Sequence, residues 1–140
     1  MRITYNKLPK MEPSVRRAVS RVVRRTKDTV ELDIKEEIMH GTKSGRLYPR
    51  GKNVPPHQAS APGEAPATDL GDLVGSIDSR MLGDLAAEVN IHSEHGPPLE
   101  FGTANGNLAP RPFVAPAVEA NREPFREDVA RAVKDGLEGA

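Results

Sequence analysis

Residues 76–91, SIDSRMLGDLAAEVNI, decide the fold class, because here the apolar pattern of the chain alternates instead of following a helical period. Ile77, Ser79 and Met81 alternate with Asp78, Arg80 and Leu82. Past Gly83-Asp84, Leu85, Ala87, Val89 and Ile91 alternate with Ala86, Glu88 and Asn90. The pattern predicts two antiparallel strands joined by a two-residue turn at Gly83-Asp84. The long periodic segments on either side are helical. From Pro13, suited to a first helical position, Val15, Val19, Val22, Val23, Thr26, Val30, Ile34 and Ile38 recur every three or four residues until Gly41, which predicts a helix over 13–40. Past Phe113, the residues Val114, Val118, Phe125, Val129, Val133 and Leu137 form one stripe ending at Gly139. They predict a second helix over 113–138, which Pro124 should kink or restart by removing an interior donor. Two apolar stripes and one hairpin give an α+β fold in a single domain over 1–140: a small antiparallel sheet packed against a long N-terminal helix and a C-terminal helix.

Three shorter segments complete this reading. Arg2-Ile3-Thr4-Tyr5 alternates and predicts an edge strand ended by Pro9, and Asp69 is placed to cap a short helix through Leu70, Leu73 and Val74. Residues 42–68 hold Pro49, Pro55, Pro56, Pro62 and Pro66 with Gly45, Gly51 and Gly63, without periodicity. A loop this long is uncommon in a compact domain unless it has a function. It is expected to become ordered against neighbouring subunits, as an arm around Arg46-Leu47-Tyr48.

Composition narrows the function classes. With 4% aromatic residues, no Trp, thirteen Pro and twelve Gly, the chain is loop-rich and thinly packed, so part of its stability is expected from neighbours in an assembly. It has no Cys, which excludes disulfides and cysteine-bound zinc and suits a reducing compartment. No apolar run approaches the ~20 residues of a membrane span, and the start MRITYNKLPK lacks a hydrophobic signal region, which predicts a soluble chain not exported by that route. The net charge is zero but unevenly placed. Residues 1–60 hold 14 Lys+Arg against 6 Asp+Glu and residues 61–140 hold 6 against 14, so the two parts carry +8 and −8. Such asymmetry suits head-to-tail contact between copies, and also simply keeps two helices solvated.

Catalytic and metal-binding patterns are weak. His92 and His95 flank Glu94 after the second strand, and His57 lies in the long loop. With no helix to hold the imidazoles on one face, and Gly96-Pro97-Pro98 following, a surface turn is preferred to a metal site. No GxSxG turn or GK[ST] phosphate loop is present, and Glu36 and Glu37 point apart on a helix face, so neither an enzyme nor a cofactor is expected. The helix over 13–40 does present Arg16, Arg17, Arg21, Arg24, Arg25 and Lys27 before turning acidic at Glu31, Asp33, Glu36 and Glu37. Carboxylates near a helix C-terminus oppose its dipole, so solvent or a partner accounts for them. The arginines are candidates for an interface or for phosphate contacts, although the chain lacks an aromatic stacking platform.

The remaining conspicuous stretch is residues 99–117, LEFGTANGNLAPRPFVAPA. It joins the apolar anchor Leu99-Glu100-Phe101, a turn at Gly102 and a proline-guarded helix entrance, Pro110-Arg111-Pro112-Phe113. This block resembles the signature of the neck and tail-completion proteins of long-tailed bacteriophages, close to LEFGT…APRPFxxPA. Ser60-Ala61-Pro62-Gly63-Glu64-Ala65-Pro66-Ala67, with Asp69-Leu70-Gly71-Asp72-Leu73 and Ser76-Ile77, is similar to that family's SAPGExPAxxTGxLxxSI, and Ser44-Gly45-Arg46-Leu47-Tyr48 resembles its SGRLY element. The chain departs from the pattern at Leu70, where the family tends to have Thr, and at the inserted Asn105-Gly106-Asn107. The resemblance implies a structural virion protein, assembled in the bacterial cytoplasm, whose copies form a ring, commonly of six, between the head connector or stopper and the tail tube or terminator. Double-stranded DNA passes through such a ring. It further implies that the hairpin and Leu99 to Phe101 help build the sheet, that Pro110 to Phe113 set the angle of the last helix, and that the 42–68 loop clasps neighbours. The alternative is a nucleic-acid-binding accessory protein using the arginine-rich helix.

Overall fold

A computed structural model describes residues 12–68 and 71–139. The edge strand expected at Arg2–Tyr5 and the cap expected at Asp69 lie outside these residues. The longest element, α1 (Pro13–His40), starts with proline at its first position, where a missing N–H costs nothing, and stops at Gly41. Its buried residues are Val15, Ala18, Val19, Val22, Val23, Ile34 and Ile38, so the predicted apolar face holds over the full 28 residues.

The hairpin is also present, formed by β3 (Ile77–Gly83) and β4 (Ala86–Ile91), with β1 and β2 defined below. Pairing runs from Ile77 opposite Ile91 to Gly83 opposite Ala86. The turn is one residue later than expected, at Asp84-Leu85, because Leu82 is an extra residue between the Met81–Ala87 and Gly83–Ala86 pairs. This bulge leaves Leu82 exposed and returns Leu85 to the inner face with Met81 and Ala87. α1 lies across both strands, so the pair has the helix it needs to be stable.

The last helix, α4 (Ala115–Glu138), runs antiparallel to α1. Three bonds give the direction: Ser14 Oγ donates to the Gly136 carbonyl (2.8 Å), Arg25 Nη2 to Asp128 (2.9 Å), and Asn121 Nδ2 to Asp33 (2.7 Å). Two expectations are corrected here. α4 continues through Pro124 without a restart, its proline lying on an exposed side. Its buried positions are Ala117, Ala132 and Gly136, while Leu137 is 60% exposed. The cause is close approach: a Cβ built on Gly136 would lie 2.6 Å from Val15 Cα, so the helices touch at backbone distance and larger side chains are pushed to the flanks.

The acidic end of α1 is satisfied within the chain. Glu31 accepts hydrogen bonds from Lys35 (2.6 Å) and from Ser79 of β3 (2.5 Å), which, in that order, hold its carboxyl below the ordinary carboxylate range. Two clusters fill the interior. One joins the valines of α1 to Ala132; the other gathers Ile34, Ile38, Ala65, Ile77, Phe113 and Ala117. The observed class is therefore α+β, with a long N-terminal helix, a C-terminal helix and small antiparallel sheets.

Candidate functional site

Four segments meet beside the second cluster. In 42–68 the chain forms a small ladder, β1 (Leu47–Tyr48) against β2 (His57–Gln58), in place of the uniformly unordered loop expected from the sequence. Its base is fixed by backbone bonds from Gly45 N to Ala59 O (2.9 Å) and from Ala59 N to Arg46 O (3.0 Å), and by Gln58 Nε2 on the Gly45 carbonyl. Glu64 clamps the same base. Its carboxylate accepts the backbone N–H groups of Ala61 (2.8 Å) and Ser44 (2.9 Å) and the Ser44 hydroxyl (2.5 Å). Its pKa is lowered, by the Ala61 N–H first and then by Ser44. The segment is thus ordered by its own side chains, which corrects the expectation that it needs a neighbour. Beyond the base, Arg46 stacks over the Tyr48 ring (5.2 Å), and Leu47, Tyr48 and Val54 remain exposed.

The 99–113 block departs most from its sequence reading. Leu99, Glu100 and Phe101 close a short helix, α3 (Gly96–Phe101), and contribute no strand. Pro97 and Pro98 sit in its first turn, where prolines suit a helix, and the chain leaves through Gly102 at φ +74°. A side chain at Gly102 would meet the Leu108 carbonyl at 2.8 Å, so glycine is required by both backbone angle and space. Phe101, read as part of an apolar anchor, is 78% exposed.

Glu100 is the residue that holds this block together. It is 9% exposed, and its carboxylate accepts three backbone N–H groups at the start of α4: Phe113 (2.7 Å), Val114 (3.0 Å) and Ala115 (2.9 Å). These are orphan donors of a helix whose N-cap, Val114, has no side-chain oxygen, and a carboxylate there also complements the helix dipole. The cap drops Phe113, 1% exposed, into the core one residue before α4 begins. No local signal could have revealed this, because the acceptor lies thirteen residues before its first donor.

Arg111 ties this block to the other motif. Its N–H donates to the Leu99 carbonyl (2.7 Å) and its guanidinium Nη1 to the carbonyl and hydroxyl of Ser60, while Gly63 N donates to the Pro110 carbonyl (3.0 Å). Arg111 Nε is buried without a partner among the described residues. Segments 60–64 and 110–113, nearly fifty residues apart, therefore form one junction.

Next to that junction is an open groove of about 490 Å³. Pro66, Ala67, Leu73, Pro98, Leu99 and Leu108 make its lining mainly apolar, and Ser60, Asp72, Ser93, His57, His95 and Arg111 add polar groups. Of the sequence candidates, Ser60, Leu99 and Arg111 line it. Ala67, Asp72, Ser93 and Leu108 carried no pattern that would have singled them out. The Ser60 hydroxyl is held as an acceptor by Arg111 instead of being activated by a base. His92 pairs with Asp78 (2.9 Å) and His95 faces the groove, so the two imidazoles do not converge; among the described residues no three His, Asp or Glu side chains could hold a metal ion.

The arginines of α1 divide into two groups. Arg16 pairs with Asp84 (2.9 Å) and Arg25 with Asp128 (2.9 Å), contacts that lock α1 to the hairpin turn and to α4. Arg17, Arg21 and Arg24 lie exposed on the helix and make no ion pair among the described residues. No helix of the described residues is long and apolar enough to cross a membrane.

Compared with known proteins, the chain matches no family model, no curated protein and no solved structure. The resemblance to phage neck proteins accordingly rests on the quoted motifs alone.

Proposed function

We propose that the protein is a structural subunit of the neck of a long-tailed bacteriophage, a tail-completion or head-to-tail joining protein. Its copies form a ring, commonly of six, between the head connector and the tail tube, through which double-stranded DNA passes. One observation carries this reading: the residues of the two motifs are spent on architecture. Glu100 caps α4, Arg111 and Pro110 bind the 60–64 segment, and Glu64 clamps the base of the arm, so the motif residues build a junction, a groove and an exposed arm instead of a reaction centre. The β3–β4 pair adds a surface suited to assembly, since both of its outer edges are unpaired among the described residues.

Light scattering across concentration, with the protein alone and mixed with connector and tail-tube proteins, tests the reading, followed by electron microscopy of any large species. Closed rings are expected. A chain that stays monomeric in every mixture overturns it. The exposed Arg17, Arg21 and Arg24 favour a second reading, an accessory protein that binds nucleic acid through phosphates. Under that reading the monomer would bind duplex DNA with affinity falling steeply as salt rises.

A further inference from the structure

We propose that the arm of one copy, residues 46–56, seats in the groove of the next copy, so that each subunit both gives and receives one contact. The inference rests on the ring reading above and adds to it the surface through which the copies join.

The arm and the groove have matching deficits. The arm exposes Leu47, Tyr48 and Val54, three large apolar residues within eight positions, on a ladder of only two residue pairs. Such a ladder cannot bury them itself. The groove is an open, mainly apolar channel bounded by Pro66, Leu73, Pro98 and Leu108. None of the three exposed arm residues lines it. An arm cannot fill the groove of its own subunit, because His57 and Ala59 at its base are part of the groove wall and are fixed there by the Gly45–Ala59 and Ala59–Arg46 bonds. The occupant must therefore come from another molecule.

Charge selects a second copy of this chain. Between Glu37 and Glu64 the sequence has no Asp or Glu and carries Lys43, Arg46, Arg50 and Lys52. Residues 61–110, which supply most of the groove and its surroundings, hold eight Asp+Glu and one Lys+Arg. A basic, apolar-tipped arm and an acidic segment with an apolar channel are complementary, and complementary fields fix partner and register. A contact between two different patches of identical subunits is heterologous, and such contacts close into rings when the rotation between copies allows it.

Two variants and their mixture test the proposal under whichever condition assembles the wild type, alone or with its tail partners. The arm variant is Leu47→Ser with Tyr48→Ser, both at exposed positions. The groove variant is Ala67→Arg, which places bulk and a like charge against the arm; Ser93→Arg replaces it if the first fails to melt cooperatively at the wild-type temperature. Each variant alone is expected to be monomeric by light scattering. Mixed one to one they are expected to give a heterodimer and nothing larger, because one intact arm and one intact groove remain and the other ends are blocked. An arm variant that assembles like the wild type overturns the proposal while leaving the ring reading intact, and points to another occupant of the groove. A mixture that stays monomeric also overturns it. A wild type that assembles under no condition removes both.

Discussion

At the N-terminal end of α1, Val15, Ala18, Val19, Val22 and Val23 pack against Ala132 and the backbone of Gly136; at its other end, Ile34 and Ile38 are fully buried among Ala65, Ile77, Phe113 and Ala117. The first region is a helix pair zipped through small residues, with the inner faces of Met81, Leu85 and Ala87 along its side. The second draws one or two residues from each of the long loop, the first strand of the hairpin, the proline-guarded entrance and both helices. Regular periodic segments produce the first. The second depends on polar locks between segments distant in sequence, above all Glu100 on the start of α4 and Arg111 on Ser60. The groove and the arm adjoin the second region, so residues of the motif that hold the core together there also shape the surface.

If that contrast is correct, the largest loss should come from Phe113→Ala. Removing a fully buried ring where five segments converge is expected to cost about 3–5 kcal/mol in chemical denaturation. A change near zero would mean that the second core does not depend on Phe113. Glu100→Ala is expected to cost about 1–3 kcal/mol by leaving buried donors without an acceptor. Glu100→Gln, which keeps an acceptor oxygen, should recover part of it, and equal losses in the two variants would show that the cap is not the reason for the loss. In the first region, Gly136→Val forces a side chain into Val15 and should destabilise by about 1–3 kcal/mol through overpacking; unchanged unfolding would show that the helices can move apart freely.

A smaller effect concerns Glu31, whose lowered pKa means that its contribution to stability is present above the unfolded value of about 4.3 and is lost as pH falls through the folded one. Glu31→Gln should melt below the wild type at neutral pH and converge with it in acid, and parallel curves down to pH 2 would refute the linkage. The smallest effect is expected at Phe101→Ser, within about 0.5 kcal/mol because the ring is largely in water. A large loss there would restore Phe101 as an anchor.

The same contrast explains what could be read from the sequence. Helix periodicity and strand alternation are local, so α1, the hairpin and α4 were legible almost to their ends. The errors arose where a tertiary contact chooses among local options. The bulge at Leu82 moved the turn by one residue so that Leu85 could face inward, and the close approach at Gly136 moved the buried stripe of α4 off Leu137. Leu99–Glu100–Phe101 had a strand-like look, yet Pro97 and Pro98 begin a helical turn whose purpose is to deliver the Glu100 carboxylate to a site thirteen residues further along. Of the groove, only the residues inside the two motifs were visible beforehand; Asp72, Ser93, His95 and Leu108 reach it from elements whose relative placement no local pattern encodes.

The loop between Gly102 and Pro110 closes on itself. Thr103 N donates to the Leu108 carbonyl (3.0 Å), Leu108 N donates back to the Thr103 hydroxyl (3.0 Å), and the Asn105 side chain accepts from Asn107 N (3.1 Å), with residues 104–107 all exposed. The clasp at Thr103 and Leu108 isolates the tip from the Glu100 cap below it, and the entropy of lengthening a closed loop grows only slowly with length. The Asn-Gly-Asn tip is therefore a natural port for engineering. A short epitope or a dye-reactive cysteine placed at Gly106 would report on the protein in a mixed assembly, in a chain that has no cysteine of its own to compete for the label.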